Sequence, residues 1–530
     1  MKKILIILLL ITTIIMQASC TPKETPKEED EEKIIDPIDD NYRVFYQIFT
    51  GSFSDSNKDG IGDLKGIINR LDYLNDGNIN SKTSLGVQGI WLTPIFSSPT
   101  YHKYDVMDYY KIDSDFGTMD DLKQLIDECH KRNVKLIIDL VINHTSSSHK
   151  WFSEFKNAHK NNDTTNKYYN YYSWATSSTI PSGRSFAKLQ GLTDTYYECN
   201  FDGNMPELNF DNDDVRTELL NIAKYYLDMG IDGFRFDAAK YLYYGSLNQN
   251  ISFWNWYMGE LRKIKSDVYC VGEVWSDDSE SSKYATSLNC FSFSASGTTG
   301  RIYQAASNGN VNIYANQIES YQKTLQGINK DAMIIQFISN HDMDRSAGYL
   351  TVASGRMYMA ANLYILCSGS PFIYYGEEIG MKGNRGSAMT DANRRLAMLW
   401  GDGDTIKDPT GTTYDKSKQT NGTVKELIND SQSLLSHYRN VIKIRNKYPE
   451  IARGTYKALQ VPGNAGGFLI EYNGSKIGII HNTLDSEVSI DLSAITAYNF
   501  TQLLDSVGLG SAKIENGKLI IGQQTSVILK

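Results

Sequence analysis

Eight short apolar runs recur along this 530-residue chain with helix-length stretches between them, and three of the runs lead into a carboxylate. The runs are Val44–Ile48, Gly89–Leu92, Lys135–Leu140, Gly233–Asp237, Tyr269–Glu273, Cys290–Phe293, Met333–Ile338 and Phe372–Tyr375. Strands alternating with helices such as Met119–Arg132 and Val215–Met229 predict βα units, and eight such units close a (β/α)8 TIM barrel of the α/β class. The carboxylates are Asp237, Glu273 and Asp342, the last in Phe337-Ile-Ser-Asn-His-Asp342. Burying a carboxylate is costly unless it is paired or used, and barrels of this kind carry their chemistry at the C-terminal ends of the strands. Arg235 lies two residues before Asp237, on the same strand face. A guanidinium there keeps the carboxylate ionised and fit for nucleophilic attack.

More than 90 residues separate the third and fourth runs, far beyond an ordinary βα connection. The polar, Tyr-rich part of that stretch, 145–208, reads as an inserted subdomain between barrel parts 42–144 and 209–450. A helix over Ser431–Lys447 precedes a C-terminal part, 451–530, of alternating strands. Its runs Gly467–Tyr472, Lys476–Ile480 and Leu519–Ile521, set off by Gly, Asn and Asp turns, predict an antiparallel β-sandwich. No basic patch suggests nucleic acid. The net charge of −9 is largely local, since residues 21–40 hold nine acids against three lysines and read as a solvated tether over 21–41. Before it, Lys2 and Lys3 precede an apolar run from Ile4 to Met16 and then Gln17-Ala-Ser-Cys20. That is an export signal, too short to span a bilayer. The small residues before Cys20 resemble the cleavage site of bacterial lipoproteins, which implies lipid on Cys20, a signal over 1–20 and attachment to the membrane or cell surface. Cys129, Cys199, Cys270, Cys290 and Cys367 show no paired spacing.

With further motifs the chain resembles the α-amylase family of glycoside hydrolases. These are Asp139-Leu-Val-Ile-Asn-His144, Met205-Pro-Glu-Leu-Asn209, Gly86-Val-Gln-Gly-Ile-Trp-Leu-Thr-Pro94 and Gly369-Ser-Pro-Phe-Ile-Tyr-Tyr-Gly-Glu377, in family order with the three carboxylate runs. The resemblance implies that Asp237 is the nucleophile, Glu273 the acid/base, and Asp342 the group that binds two sugar hydroxyls. The apolar run around Glu273 accords with a raised acid pKa. By the same resemblance His102, Tyr104, His144 and His341 contact the sugar, with Arg235 and Lys240 among the substrate-binding groups; Arg345, close after Asp342, is placed with them as a brace of the site. Tyr241 departs from the family, where many members carry His after the lysine.

Asp55-Ser-Asn-Lys-Asp-Gly-Ile-Gly-Asp63 places oxygens at alternate positions with Gly sixth, like the start of an EF-hand loop, although Gly66 stands where the bidentate Glu would be. Asp55, Asn57, Asp59, the Ile61 carbonyl and Asp63 are the implied calcium ligands, with a polar turn capped by Asp63 as the alternative. Asn143 and Glu207, with the Tyr241 carbonyl, match a second family calcium position. The implied activity is retaining hydrolysis of α-1,4 links in starch-like glucans by an endo-acting monomer. Exo-acting α-glucosidase or oligo-1,6-glucosidase, 4-α-glucanotransferase, and a glycan-binding lipoprotein without activity stand as alternatives. The opening Phe45-Tyr-Gln-Ile-Phe49 and Met205-Pro-Glu-Leu-Asn209 resemble a group between the endo and exo kinds.

Overall fold

Strand alternation builds the centre of this molecule. The structure, a computed structural model, describes residues 38–462 and 465–530, so the export signal, Cys20 and most of the tether lie outside the described residues. Seven parallel strands form one sheet: β1 (Phe45–Ile48), β2 (Gly89–Leu92), β3 (Lys135–Leu140), β4 (Gly233–Phe236), β5 (Tyr269–Gly272), β6 (Asn289–Cys290) and β7 (Phe372–Tyr374). Their spatial order is β6-β5-β4-β3-β2-β1-β7. The expected strand Met333–Ile338 is not a regular strand. It fills the gap between β6 and β7 as an extended segment, with Ile335 bridged to Phe291, and Phe372 N–H donating to the Gln336 carbonyl at 2.8 Å. A barrel results, and Asp237 and Glu273 stand one residue past the ends of β4 and β5.

Alternate strand residues point to opposite faces, and the cores follow that rule. Phe45, Trp91, Ile137, Tyr269, Val271, Phe291, Ile335 and Phe372 fill the barrel interior. Tyr46, Ile48, Ile90, Leu92, Leu136, Ile138, Phe234 and Phe236 face the other way and pack with the helices. Gly233 opens β4 because only hydrogen fits there, since a Cβ would lie 1.7 Å from the Tyr269 carbonyl oxygen on β5.

The helix over 213–229 is capped by Asn212, whose side chain accepts from Asp214 and Val215 N–H, and ends at left-handed Gly230. The insert leaves the barrel at His144 and returns where His144 pairs with Glu207, and it carries a helix, Lys150–Lys160, and a small three-stranded sheet. After the helix Leu434–Lys447 the chain forms two antiparallel sheets. One pairs Thr455–Leu459, Ala465–Tyr472, Ser475–Asn482, Thr525–Leu529 and Leu503–Gly508, and the other pairs Val488–Asp491, Lys518–Ile521 and Ala512–Glu515. Their shared core includes Ile480, Ile490, Leu519, Ile521 and Val527.

The tether read over 21–41 gives way to the folded body by residue 38. Ile38 is buried, its carbonyl accepts from Arg43 Nη2 at 2.6 Å and Asn133 Nδ2 at 2.7 Å, and Asp40 pairs with Arg453. All five described cysteines are free and buried. No described helix is long and apolar enough to cross a membrane.

Candidate active site

One side chain organises the strand ends. Arg235, on β4, points into the barrel mouth and is 1% exposed. Its Nη1 donates to Asp237 Oδ1 at 2.8 Å and to both Asp139 oxygens at 2.9 and 3.0 Å. Its Nη2 reaches Glu273 Oε1 at 2.8 Å. Three carboxylates from β3, β4 and β5 therefore share one guanidinium, which also lies 5.1 Å from the Trp91 ring centroid. A buried cation is tolerated only with such compensation.

The chain turns sharply after the nucleophile candidate. Ala238 has φ +48°, and its N–H donates to Glu273 Oε2 at 3.1 Å. This non-glycine residue in the left-handed region is a strained position that the surrounding bonds enforce. Burial drives the Glu273 carboxyl up to about 8, and the charges of Asp237 and Asp342 add to this against the pull of Arg235. Burial likewise raises Asp139, to about 7.

Asp342 behaves in the opposite way. Burial alone would raise it, but His341, Arg395 and Arg235 outweigh burial and hold its carboxyl at about 2. Arg395 Nη2 donates to Asp342 Oδ1 at 2.7 Å, and His341 Nε2 lies 3.0 Å from Oδ2. Gln47 Nε2 donates to His341 Nδ1 at 2.8 Å, which leaves the proton on Nε2, facing Asp342 and Tyr104 Oη. Burial lowers the His341 pKa to about 3, so the ring is neutral. Tyr104 lies parallel to His341, with centroids 5.4 Å apart, and donates to Asp139 Oδ2 at 3.0 Å. His102 accepts the Tyr104 N–H on Nδ1 at 3.1 Å, and burial lowers its pKa. His144 is buried with Nε2 unpartnered, and burial also lowers its pKa. Lys240 Nζ donates to the Trp275 carbonyl at 2.7 Å, at the rim.

The structure thus brings together Asp237, Glu273, Asp342, Arg235, His341 and Tyr104, with His102 joined through Tyr104. Arg345 is different. Its Nε and Nη1 donate to the Arg394 and Tyr375 carbonyls at 3.0 and 2.6 Å, and its guanidinium stacks on Tyr374 and Tyr375. It braces backbone behind the site, and the cation on Asp342 is Arg395. Sequence reasoning left out Asp139, Arg395 and Gln47 as site residues. Asp139 opens a motif that was read for its histidine. Arg395 lies among turns with no strand period to mark it.

The Asp55–Asp63 loop closes on itself. Asp55 accepts N–H bonds from Asn57, Lys58 and Gly60 and a hydroxyl bond from Thr405. Asp63 accepts from Ser56 N–H, and from Gly66 N–H at 2.7 Å as cap of the helix Leu64–Asn69. Asn57 and Asp59 bond to each other. Among the described residues no three Asp, Glu, His or Cys side chains come together as metal ligands would. In the structure the loop's side-chain oxygens are turned onto its own N–H groups and hydroxyls. The second position carries the clearer signal. Asn143 Oδ1 is buried without a partner, and burial, with the charge of Glu198, raises Glu207 to about 8. An orphaned amide oxygen and a desolvated carboxylate are the oxygen donors that calcium takes.

The alpha-amylase catalytic domain family matches residues 47–454. Alpha-amylase 3 of Dictyoglomus thermophilum is 33% identical over 492 residues, which cover 92% of this chain and 93% of that protein. An oligo-1,6-glucosidase of Bacillus cereus is 30% identical, covering 90% and 96%. The solved structure of Eubacterium rectale Amy13B superposes with a TM-score of 0.85 at 34% identity, covering 94% of this chain and 97% of that one. On this footing the barrel and its carboxylate cluster are those of a glycoside hydrolase, and the chain belongs to the α-amylase family.

Proposed function

We propose that this hydrolase cleaves α-1,4-glucosidic bonds of starch-like glucans with retention, acting within the chain. Asp237 attacks the anomeric carbon, Glu273 protonates the departing oxygen and then takes a proton from the incoming water, and Asp342 holds ring hydroxyls. The observation that carries this reading is the shared guanidinium: Arg235 touches both Asp237 and Glu273 at 2.8 Å. That keeps the two carboxyls close, as the roughly 5–5.5 Å separation of retaining enzymes requires. The opposed pKa shifts add support, since a protonated Glu273 beside an ionised Asp342 divides acid from charge-bearing roles. Proton NMR of the first product released from maltopentaose tests it: the α-anomer is expected, and the β-anomer overturns it. The likeness to an oligo-1,6-glucosidase favours exo action on α-1,6 links as the second reading. A product profile decides between them, with mixed oligosaccharides from starch supporting the first and glucose from isomaltose the second.

Calcium at Asn143 and Glu207 would neutralise Glu207 and tie the insert to the barrel. Lipid on Cys20 would tether the enzyme to a membrane surface, with the acidic stretch keeping it off anionic headgroups.

A further inference from the structure

Phe45 and Gln47 stand two residues apart on β1 and so share the face that fills the barrel. Gln47 is 2% exposed there, in an interior built of aromatic rings such as Phe45, Trp91 and Phe372. A buried amide is costly unless it is bonded. This one donates from Nε2 to His341 Nδ1 at 2.8 Å. The barrel wall holds the donor from both sides, since Gln47 is in register with Trp91 on β2 and with Tyr374 on β7, and its carbonyl accepts from Tyr375 N–H at 3.0 Å. The imidazole is held as firmly. Tyr104 lies parallel to it within 3°, and Trp91 meets it edge-on with centroids 5.8 Å apart. With the ring plane fixed, what remains to be decided is which nitrogen carries a proton.

The other nitrogen shows why this matters. His341 Nε2 lies 3.0 Å from Asp342 Oδ2 and 2.6 Å from Tyr104 Oη. An ionised carboxylate only accepts, and the Tyr104 hydroxyl already donates to Asp139. Nε2 therefore carries the hydrogen, and Nδ1 has to face a donor. A functional histidine is more often oriented by a carboxylate or a backbone carbonyl. Either is an acceptor, and either would draw a proton onto Nδ1 and leave the ring positively charged. The amide N–H of Gln47 does the reverse. The charged and titratable groups that bear on the ring are Asp342 beside it, Tyr104 and His102 from the loop after β2, Arg235 from β4, and Arg395. Arg235 and Arg395 would repel a charged ring, and a charged ring would take over part of the Asp342 charge. Resting on the reading that Asp342 holds sugar hydroxyls, we propose that Gln47 is a positioning residue of the reaction: its N–H occupies Nδ1, which keeps His341 neutral and its Nε2–H turned onto an ionised Asp342.

The experiment labels the full chain with heavy-nitrogen histidine and records ring nitrogen–proton correlation spectra without substrate, with His341→Asn identifying the signal among the eight histidines. Wild type is expected to show hydrogen on Nε2 and none on Nδ1 across the working pH range. Gln47→Glu keeps the shape of the side chain and exchanges its donor for acceptors. That variant is expected to place a proton on Nδ1 as well, and to lose it in a titration that wild type lacks. In kinetics on maltopentaose, Gln47→Glu and Gln47→Leu are expected to lower kcat about 10–100-fold, by analogy with the groups that orient metal-bound histidines, with a smaller change in KM. The added titration is expected in the pH profile of Gln47→Glu and not in that of Gln47→Leu. If Gln47→Leu misfolds, the isosteric Gln47→Glu carries the test. A wild-type ring with hydrogen on Nδ1, an unprotonated Nδ1 in Gln47→Glu, or an unchanged kcat in the folded variants overturns the proposal. The spectra need no substrate, so a β-anomer from maltopentaose, which refutes the retaining reading, leaves the hold of Gln47 on His341 to be decided by the spectra alone.

Discussion

At the residue scale, the division of labour between Glu273 and Asp342 comes from their partners rather than from their type. Both carboxyls are desolvated, Glu273 buried and Asp342 partly exposed, yet Glu273 is driven to about 8 and Asp342 held at about 2. An acid must carry its proton, so kcat/KM is expected to fall as pH rises through about 8, the value for Glu273 in the free enzyme. A limb near 4.5 would refute the role of burial. Glu273→Gln should lower kcat on maltopentaose about 10²–10⁴-fold. Arg395 and Arg345 make a matched pair. Arg395→Met should raise the Asp342 pKa and move the acid limb of kcat/KM upward. Arg345→Met should leave that limb in place and lower the melting temperature, because Arg345 serves carbonyl groups behind the site. If the two variants have the same pH profile, the assignment of the cation on Asp342 fails.

At the element scale, the strand-to-loop transitions do most of the positioning. Gly233 lets β4 approach β5, and the left-handed Ala238 aims its N–H at Glu273. Gly233→Ala should be destabilised by at least about 1–3 kcal/mol, the usual range for overpacking, read as a shifted urea midpoint. If calcium binds at Asn143 and Glu207, chelator lowers the melting temperature of wild type and not of Asn143→Ala, since a ligand of the folded state stabilises it. Asp59→Ala, in the self-closed loop, should keep the chelator response. The reverse pattern would assign calcium to the loop. The apolar runs exposed seven of the barrel strands in the sequence, because both faces of those strands are buried, one filling the barrel and the other meeting helices. They overstated Met333–Ile338, whose apolar residues are buried although only Ile335 makes a strand bridge. Burial, not ladder bonding, wrote that pattern.

At the scale of the whole molecule, buried carboxyls outside the chemistry join distant elements. Glu377 accepts from Tyr364 and Tyr438 hydroxyls at 2.6 and 2.7 Å, and Glu378 from Tyr46 and Tyr73 at 2.8 and 2.5 Å. Burial raises Glu377 to about 7. A carboxyl whose folded pKa lies above its unfolded value binds its proton more tightly when folded. Its contribution is therefore complete below about 4.5 and is lost as pH rises through about 7 for Glu377 and about 8 for Glu273. Melting temperature should decline across that window, and Glu273→Gln should flatten the decline. A stability maximum at pH 8 in wild type would contradict this. Attachment to a membrane is tested by fractionating a lipoprotein-processing bacterium that makes the full chain or Cys20→Ala. Wild type should partition into detergent and the variant should not, and identical soluble behaviour would leave a plain export signal.

The amino-acid sequence by itself determined the barrel, the insert, the C-terminal sheets and the order of the three carboxylates. Each of these is written as a local period, a long interruption or a short motif. Tertiary structure alone decided what those carboxylates touch. Asp139 lies on β3 and Asp237 and Glu273 lie just past the ends of β4 and β5, and only closure of the sheet brings them onto the one guanidinium of Arg235. Arg395, 53 positions along the chain from Asp342, reaches it, whereas Arg345, three residues from Asp342, turns away from it. Proximity along the chain sets strand and face, but the pairing of charges in a buried site depends on where loops of unrelated sequence return.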